Sequence, residues 1–323
     1  MNRVVMTLMV LISILSAKED VSIKELNCNK NIIEACANLA DDYYFEYNDV
    51  SKDLKKARVF YEKACDGNDT GACLQLGAML YNGEGIDSNY TKAFMLFEKA
   101  CNLGNGQSCA NLGIMYYRGQ NTIQNFSKAR TFYTKAFKLG KGSGYAGIGA
   151  LYHNGKGVKQ DYKKAFEYYM KAIEMDNYDM GYKNLGTLYE NGTGVKQDYK
   201  KSAEYYRIAC NNDVSSACMS LASFYQKGMG VEKDYKQACF YGNGNLCSDI
   251  GDIFYEGKNE KVDFFKAKKF YEKGCLKNNS YGCYCLGYLY DNGEGTKKDT
   301  AKAKEFYQKA CKRGNKSACE EIK

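Results

Sequence analysis

Apolar residues return along this chain at helical spacing, in two blocks per unit. In the first block Leu76, Met79 and Leu80 recur one helical turn apart, and in the second Ala93, Phe97 and Ala100 do the same. Stripes of this period bury one side of an α-helix. Between the blocks stands N-G-x-G, whose glycines accept the left-handed backbone of a helix-ending turn. The second block opens on Asp-Tyr, as at Asp161 and Asp198, and Asp suits a helix N-cap. Each unit is therefore predicted to be a helix hairpin. One hairpin cannot bury its stripe alone, whereas stacked hairpins share a continuous core.

Self-comparison gives the period. The pattern C-x-x-L-G-x-x-Y-x-N-G-x-G, then D-Y-x-K-A-x-x-Y-Y-x-K-A-C, appears at Cys73–Gly85 with Tyr90–Cys101. It returns at Tyr145–Gly157 with Asp161–Ala172, at Tyr182–Gly194 with Asp198–Cys210, and at Cys283–Gly295 with Thr300–Cys311. The leading residue falls at 36, 73, 109, 145, 182, 218, 247, 283 and 319, so the steps are 36 or 37 residues apart from one of 29. The short step removes seven residues from a second helix near Lys236–Cys239. Seven residues are close to two turns and rotate the helix face by only about 20°. The repeat near 231–247 is therefore expected to stack with a shortened helix. Leu76, Leu112, Ile148, Leu185, Leu221, Ile250 and Leu286 share one column and are the predicted core. Tyr116, Tyr152, Tyr189, Tyr225, Phe254 and Tyr290 share another and are predicted to stack at its edge.

Composition sharpens this picture. There is no Pro among 323 residues, which suits uninterrupted helices, and there are 15 Cys. Fourteen of them form C-x7-C pairs: Cys28-Cys36, Cys65-Cys73, Cys101-Cys109, Cys210-Cys218, Cys239-Cys247, Cys275-Cys283 and Cys311-Cys319. The first cysteine of each pair ends one helix and the second lies in the first turn of the next, so the two can meet as a disulfide. At two junctions Phe137 faces Tyr145 and Ile173 faces Tyr182 instead, an apolar contact in place of the bridge. Cys285 is left over. A free thiol is expected there, with an intermolecular disulfide, exchange with Cys275 or Cys283, and a reactive role as open alternatives. A metal site would want closely spaced cysteines and several histidines; His153 is the single histidine and reads as a surface or helix-end residue. No metal or cofactor is expected.

Residues 1–17, MNRVVMTLMVLISILSA, carry one Arg, an apolar run and a small-residue end. They read as a cleaved signal peptide, which leaves 18–323 as a single repeat solenoid with no membrane span. An oxidising compartment, secreted or periplasmic, agrees with the cysteine pairs. The formal charge of +8 is spread over every repeat. It lacks the clustered stripe of a nucleic-acid surface, so solvated helix faces are expected.

The repeat A-C-x-x-L-G-x-x-Y-x-N-G-x-G-V-x-x-D-Y-x-K-A-x-x-Y-Y-x-K-A-C resembles Sel1-like repeats, relatives of the tetratricopeptide repeat. With C-x7-C in most units and an export signal, the chain is similar to the Helicobacter cysteine-rich protein family over about 28–323. The expected fold is an all-α, right-handed α/α superhelical solenoid of about eight Sel1-like hairpins stapled by disulfides. The resemblance also implies secretion and a classification as penicillin-binding protein or β-lactamase, with links to host immune recognition. The residues do not echo that chemistry. No Ser is followed three residues later by Lys, and no S-D-N or K-T-G triplet exists, as a serine β-lactamase would need.

Stacked hairpins place their first helices on the concave side. There the positions two, five and nine residues past the leading residue form a polar, variable stripe. Gln75, Asn111, Asn184 and Ser220 occupy the first of these positions, and Arg118 and Lys227 the last. These six residues are the candidate ligand contacts, since an amide both donates to and accepts from a peptide backbone, and Arg118 or Lys227 can meet a carboxylate. Asn82, Asn154, Asn191 and Asn292 precede Gly and read as turn residues. The function expected is a monomeric, exported scaffold that binds a peptide, a cell-wall fragment or a protein partner. A weak hydrolase acting on β-lactams is the alternative.

Overall fold

A computed structural model describes residues 21–48 and 50–322; the leader expected at 1–17 lies outside the described residues. Eighteen α-helices make up the described residues. The chain forms two compact units, one ending at Tyr178 and the other beginning at Asp179.

The first unit opens with α1 (Val21–Asn29), which packs on the first of four hairpins. These are α2 (Ile33–Phe45) with α3 (Leu54–Asp66), α4 (Thr70–Asn82) with α5 (Tyr90–Asn102), α6 (Gly106–Arg118) with α7 (Phe126–Lys138), and α8 (Gly142–Asn154) with α9 (Tyr162–Asp176). The second unit holds α10 (Asp179–Asn191) with α11 (Tyr199–Asn211), α12 (Ser215–Lys227) with α13 (Tyr235–Tyr241), α14 (Gly244–Glu256) with α15 (Phe264–Leu276), and α16 (Ser280–Asn292) with α17 (Thr300–Lys312). It closes with α18 (Lys316–Glu320). Within each unit a second helix packs against its own first helix and the first helix of the next repeat.

Local chemistry sets the helix ends where the pattern put them. Asp161 and Asp198 each accept from the backbone N–H three residues on, at 3.0 Å, which satisfies an orphan donor of the first turn. Gly83 closes α4 at φ 75° and returns its N–H to the Met79 carbonyl. The predicted core column is buried throughout, with Leu112, Leu185, Leu221 and Ile250 fully so and none of its members more than 5% exposed. Each such aliphatic side chain stabilises the fold by about 1.5–3 kcal/mol. The predicted edge column stacks as well. Tyr116 lies on Phe132, Tyr152 on Tyr168, Tyr189 on Tyr205, Phe254 on Phe270 and Tyr290 on Phe306, with ring centroids 5.4–5.6 Å apart.

The shortened helix is α13, with 7 residues where its counterparts have 13 or, in α9, 15. Its stacking partner survives the loss. Elsewhere the second-helix ring stands five positions before the cysteine column, as Phe270 does before Cys275. In α13 Tyr241 stands two positions after Cys239, and it stacks on Tyr225 at 5.8 Å. The shift is seven residues, so the ring returns to the same face. The open end of α13 is closed by Lys277, whose Nζ donates to the carbonyls of Cys239, Phe240 and Gly242 at 2.8, 2.9 and 2.6 Å.

All seven predicted cysteine pairs are bonded, with Cα atoms 4.6–4.8 Å apart. Disulfides of this density belong to an oxidising, exported environment. The carbonyl of the first cysteine often receives a basic side chain from the next repeat. Lys63 Nζ reaches the Cys28 carbonyl at 2.6 Å, Lys99 reaches that of Cys65 at 2.7 Å, and Arg313 reaches that of Cys275 at 2.8 Å. These cations are tethers between repeats, which corrects the expectation that the basic residues serve only as a solvated face.

At the bridge-free junction in the first unit, Phe137 and Tyr145 stack with centroids 4.4 Å apart. The helices meet so closely there that a Cβ on Gly144 would lie 2.4 Å from the Tyr133 carbonyl oxygen and 2.5 Å from the Phe137 nitrogen. Backbone atoms cannot rotate away. Gly144→Ala should therefore cost about 1–3 kcal/mol through forced helix displacement, read as a lower denaturant midpoint. An unchanged midpoint would show that α7 and α8 have slack.

Candidate ligand-binding cavities

In six of the repeats the second-helix ring four positions before the cysteine column passes over a glycine of its first helix. A Cβ on Gly77 would sit 2.6 Å from the Phe97 ring, and one on Gly251 would sit 2.6 Å from the Tyr271 ring. Without a side chain in the way, the ring reaches the groove between consecutive first helices. Each unit has a cavity at that place.

In the first unit it lies between α4 and α6 and holds about 230 Å³, lined by Ala78, Tyr81, Asn82, Phe97, Asn111, Ile114 and Arg118. Arg118 is exposed, and its Nη1 donates to the Tyr81 hydroxyl at 3.0 Å; the Tyr81 hydroxyl donates in turn to Gln120. Asn111 is half-buried and its Oδ1 accepts from Gln107 Nε2 at 3.3 Å. Two of the predicted contacts, Asn111 and Arg118, thus come together. Gln75 sits half-buried on α4 and does not line this cavity.

The second cavity lies between α14 and α16, holds about 200 Å³, and uses the same columns. Asp252 replaces Ala78, Tyr271 replaces Phe97, Cys285 replaces Asn111 and Tyr288 replaces Ile114, with Tyr255, Tyr281, Tyr284 and Glu256 completing the wall. Asp252 Oδ1 accepts from the Tyr271 hydroxyl at 2.6 Å and from the Tyr281 hydroxyl at 3.1 Å. Burial raises both phenols above their ordinary range, and the neighbouring Asp252 and Cys285 add to it, so both remain donors. Cys285 is a free, half-buried thiol. Burial pushes it up to about 12, against the opposing hydrogen bond from Tyr281. It is therefore protonated at neutral pH and a poor nucleophile.

The remaining predicted contacts are in the second unit. Asn184 is half-buried on α10, and Lys227 is exposed at the end of α12. Ser220 is drawn into a hydroxyl network around Tyr206. The Tyr206 hydroxyl also meets Glu190 at 2.5 Å and Thr187 at 3.1 Å, so its polar atoms are occupied within the protein. Asn154 and Asn292 donate to carbonyls of their own last turn, as expected of turn residues. His153 packs its ring against Tyr162 and Tyr169 near the end of α8. Among the described residues no group of three His, Cys, Asp or Glu side chains is placed to hold a metal ion, and no helix is long and apolar enough to cross a membrane.

Sequence reasoning missed Tyr81, Tyr255, Tyr271 and Tyr281 as cavity residues. The usable signal was the pairing of the L-G glycine with the ring four positions before the cysteine.

Among solved structures, the chain is similar to a protective antigen of uropathogenic Escherichia coli with an SLR fold, at 29% identity over 94% of this chain and a TM-score of 0.53. It spans 66% of that protein's length. It is also similar to a Sel1 repeat protein from Oxalobacter formigenes, at 21% identity over 92% of this chain and 88% of that one, with a TM-score of 0.51. The likeness to cysteine rich protein B of Helicobacter pylori is shorter, at 31% identity over 39% of this chain and 96% of that one, and its TM-score of 0.28 is too low to carry an activity across. No curated protein sequence matches the chain. The model of the Sel1 repeat matches residues 33–69, 70–105, 106–141, 143–177, 180–214, 215–242, 246–279 and 280–315. These eight segments run in step with the eight helix hairpins, and the chain belongs to the Sel1 repeat family.

Proposed function

We propose that the chain is an exported interaction scaffold that holds an extended peptide segment of a protein or cell-wall partner against its first helices. Residues 1–17 act as the cleaved leader, and the mature chain works in a secreted or periplasmic setting. The observation that carries this reading is the first cavity, where Asn111 and Arg118 converge beside an apolar wall of Phe97 and Ile114. The Asn111 amide can donate to and accept from a peptide backbone. Arg118, steadied by Tyr81, offers a planar fork to a carboxylate. Repeat solenoids commonly use such extended faces to bind partners.

β-Lactam hydrolysis gains nothing from the geometry. The thiol of the second cavity is protonated at neutral pH, and its hydrogen-bond partners are phenols that are themselves held protonated. A peptide-library screen on the oxidised chain, followed by calorimetric titration, tests the scaffold reading. Arg118→Ala should weaken the best acidic peptide about tenfold or more, as loss of a charged hydrogen bond does. Asn111→Ala should weaken acidic and neutral peptides alike. Unchanged affinity in both variants would remove the first cavity from the reading.

A further inference from the structure

The second cavity differs from the first in a way that names a ligand class. We propose that the cavity between α14 and α16 seats the ammonium group of a lysine side chain in a bound peptide. This rests on the scaffold reading above and deepens it. At about 200 Å³ the space is smaller than the roughly 300 Å³ and upward that drug-sized ligands occupy, and it suits one side chain. Its walls are phenol rings, and a cation is attracted to ring faces within about 6 Å of their centroids. Tyr255 and Tyr288 stand edge to face with centroids 6.4 Å apart, and Tyr288 is 40% exposed and open to an entering chain.

Asp252 provides the countercharge. Both of its phenol contacts fall on Oδ1, and among the described residues no Lys or Arg forms an ion pair with it. At the rim Glu256 is already paired, with Lys258. The folded helix gains little from these carboxylates. Asp249, Asp252 and Glu256 lie one turn apart along α14, where like charges repel. The homologous positions of the first cavity hold Ala78 and Asn82, and that cavity carries Arg118 where the second has Asn292. The two cavities are the same construction with opposite electrostatic preference, the first for an acidic side chain and the second for a lysine.

Cys285 lines the second cavity and reports on its occupancy. The oxidised full chain is labelled with methyl methanethiosulfonate at about pH 9, where more of the raised Cys285 thiol is ionised while a lysine ammonium keeps its charge, and followed by intact mass. Labelling is repeated with Nα-acetyl-lysine methylamide, with its Nε-acetylated counterpart, and with the peptides Gly-Gly-Lys-Gly-Gly and Gly-Gly-Glu-Gly-Gly. The lysine amide and the lysine peptide should slow Cys285 labelling several-fold at millimolar concentration, and the neutral and acidic probes should not. Asp252→Asn and, independently, Tyr288→Leu should each abolish the protection ratio while circular dichroism stays helical. Equal protection by the acetylated probe would show an apolar slot that ignores charge and would overturn the proposal. Protection by the amide without protection by the peptide would overturn it too, as would no protection at all. The first cavity is tested separately by the Arg118→Ala titration, so loss of lysine protection with that effect intact sinks this proposal alone.

Discussion

Reduction of the disulfides should unfold the chain unevenly and spare its middle. Each bridge spans a sequence separation of 8 residues, and closing so short a loop stabilises by about 2.5 kcal/mol in the chain-entropy model. Summed over seven bridges, that upper figure exceeds the 5–15 kcal/mol by which domains are usually stable. The bridges are not evenly placed. No cysteine stands between Cys109 and Cys210, and the junction of α7 with α8 is held by the Phe137–Tyr145 stack. Stability in a repeat array is a sum of local and nearest-neighbour contributions, so the damage should follow the bridges. Hydrogen exchange under a thiol-free reductant should show protection lost in α2–α5 and α14–α17 and largely retained in α7–α9. Uniform loss along the chain would mean that the staples act globally.

The second large effect is expected at the start of the first unit. Lys24 Nζ meets Asp42 Oδ2 at 2.7 Å, with the two side chains only 8% and 4% exposed. Asn48 Nδ2 donates to the other Asp42 oxygen at 2.8 Å. Lys24→Met leaves a buried carboxylate with one neutral partner, and breaking such a pair costs about 3–5 kcal/mol. The nine-residue α1 can undock to return Asp42 to water, tethered by the Cys28–Cys36 bridge. Exchange in α1 and α2 should therefore rise about a hundredfold or more in Lys24→Met. The double variant Lys24→Met, Asp42→Leu should recover most of the loss, because a buried ion pair adds little over an apolar replacement. If the double variant is as damaged as the single one, the pair itself is the source of stability and this account of it is wrong.

Much of this molecule was legible in its residues, and the division has a physical cause. Periodicity gives each helix and its core column, because Leu112 or Ile250 is buried by the same stripe that predicts it. The cysteine spacing gives the bridges, because both partners belong to one short loop. The buried Lys24 was not legible, since it precedes the repeating frame and nothing local marks a partner 18 residues away. Nor was the reach of Lys63, 35 residues along the chain to the Cys28 carbonyl, because a long side chain can serve solvent or a neighbour with the same sequence around it. Of the candidate contacts, Asn111 and Arg118 converge, and Ser220 is taken up by Tyr206. The polar stripe fixes a helix face but not which hydroxyls and amides satisfy one another across it.

The behaviour of α13 has a consequence for how such a chain can change. Tyr241 takes over the stack on Tyr225 because the missing stretch is a near-whole number of turns. Helix length here is quantised, much as codon steps quantise a reading frame. The loss of seven leaves the outer ring stacked on Tyr225 and Cys239 bonded to Cys247. A change of five would swing the remaining side chains about 140° around the axis, placing core residues in water and lysines in the core. Length variation in this architecture is thus confined to a few permitted steps.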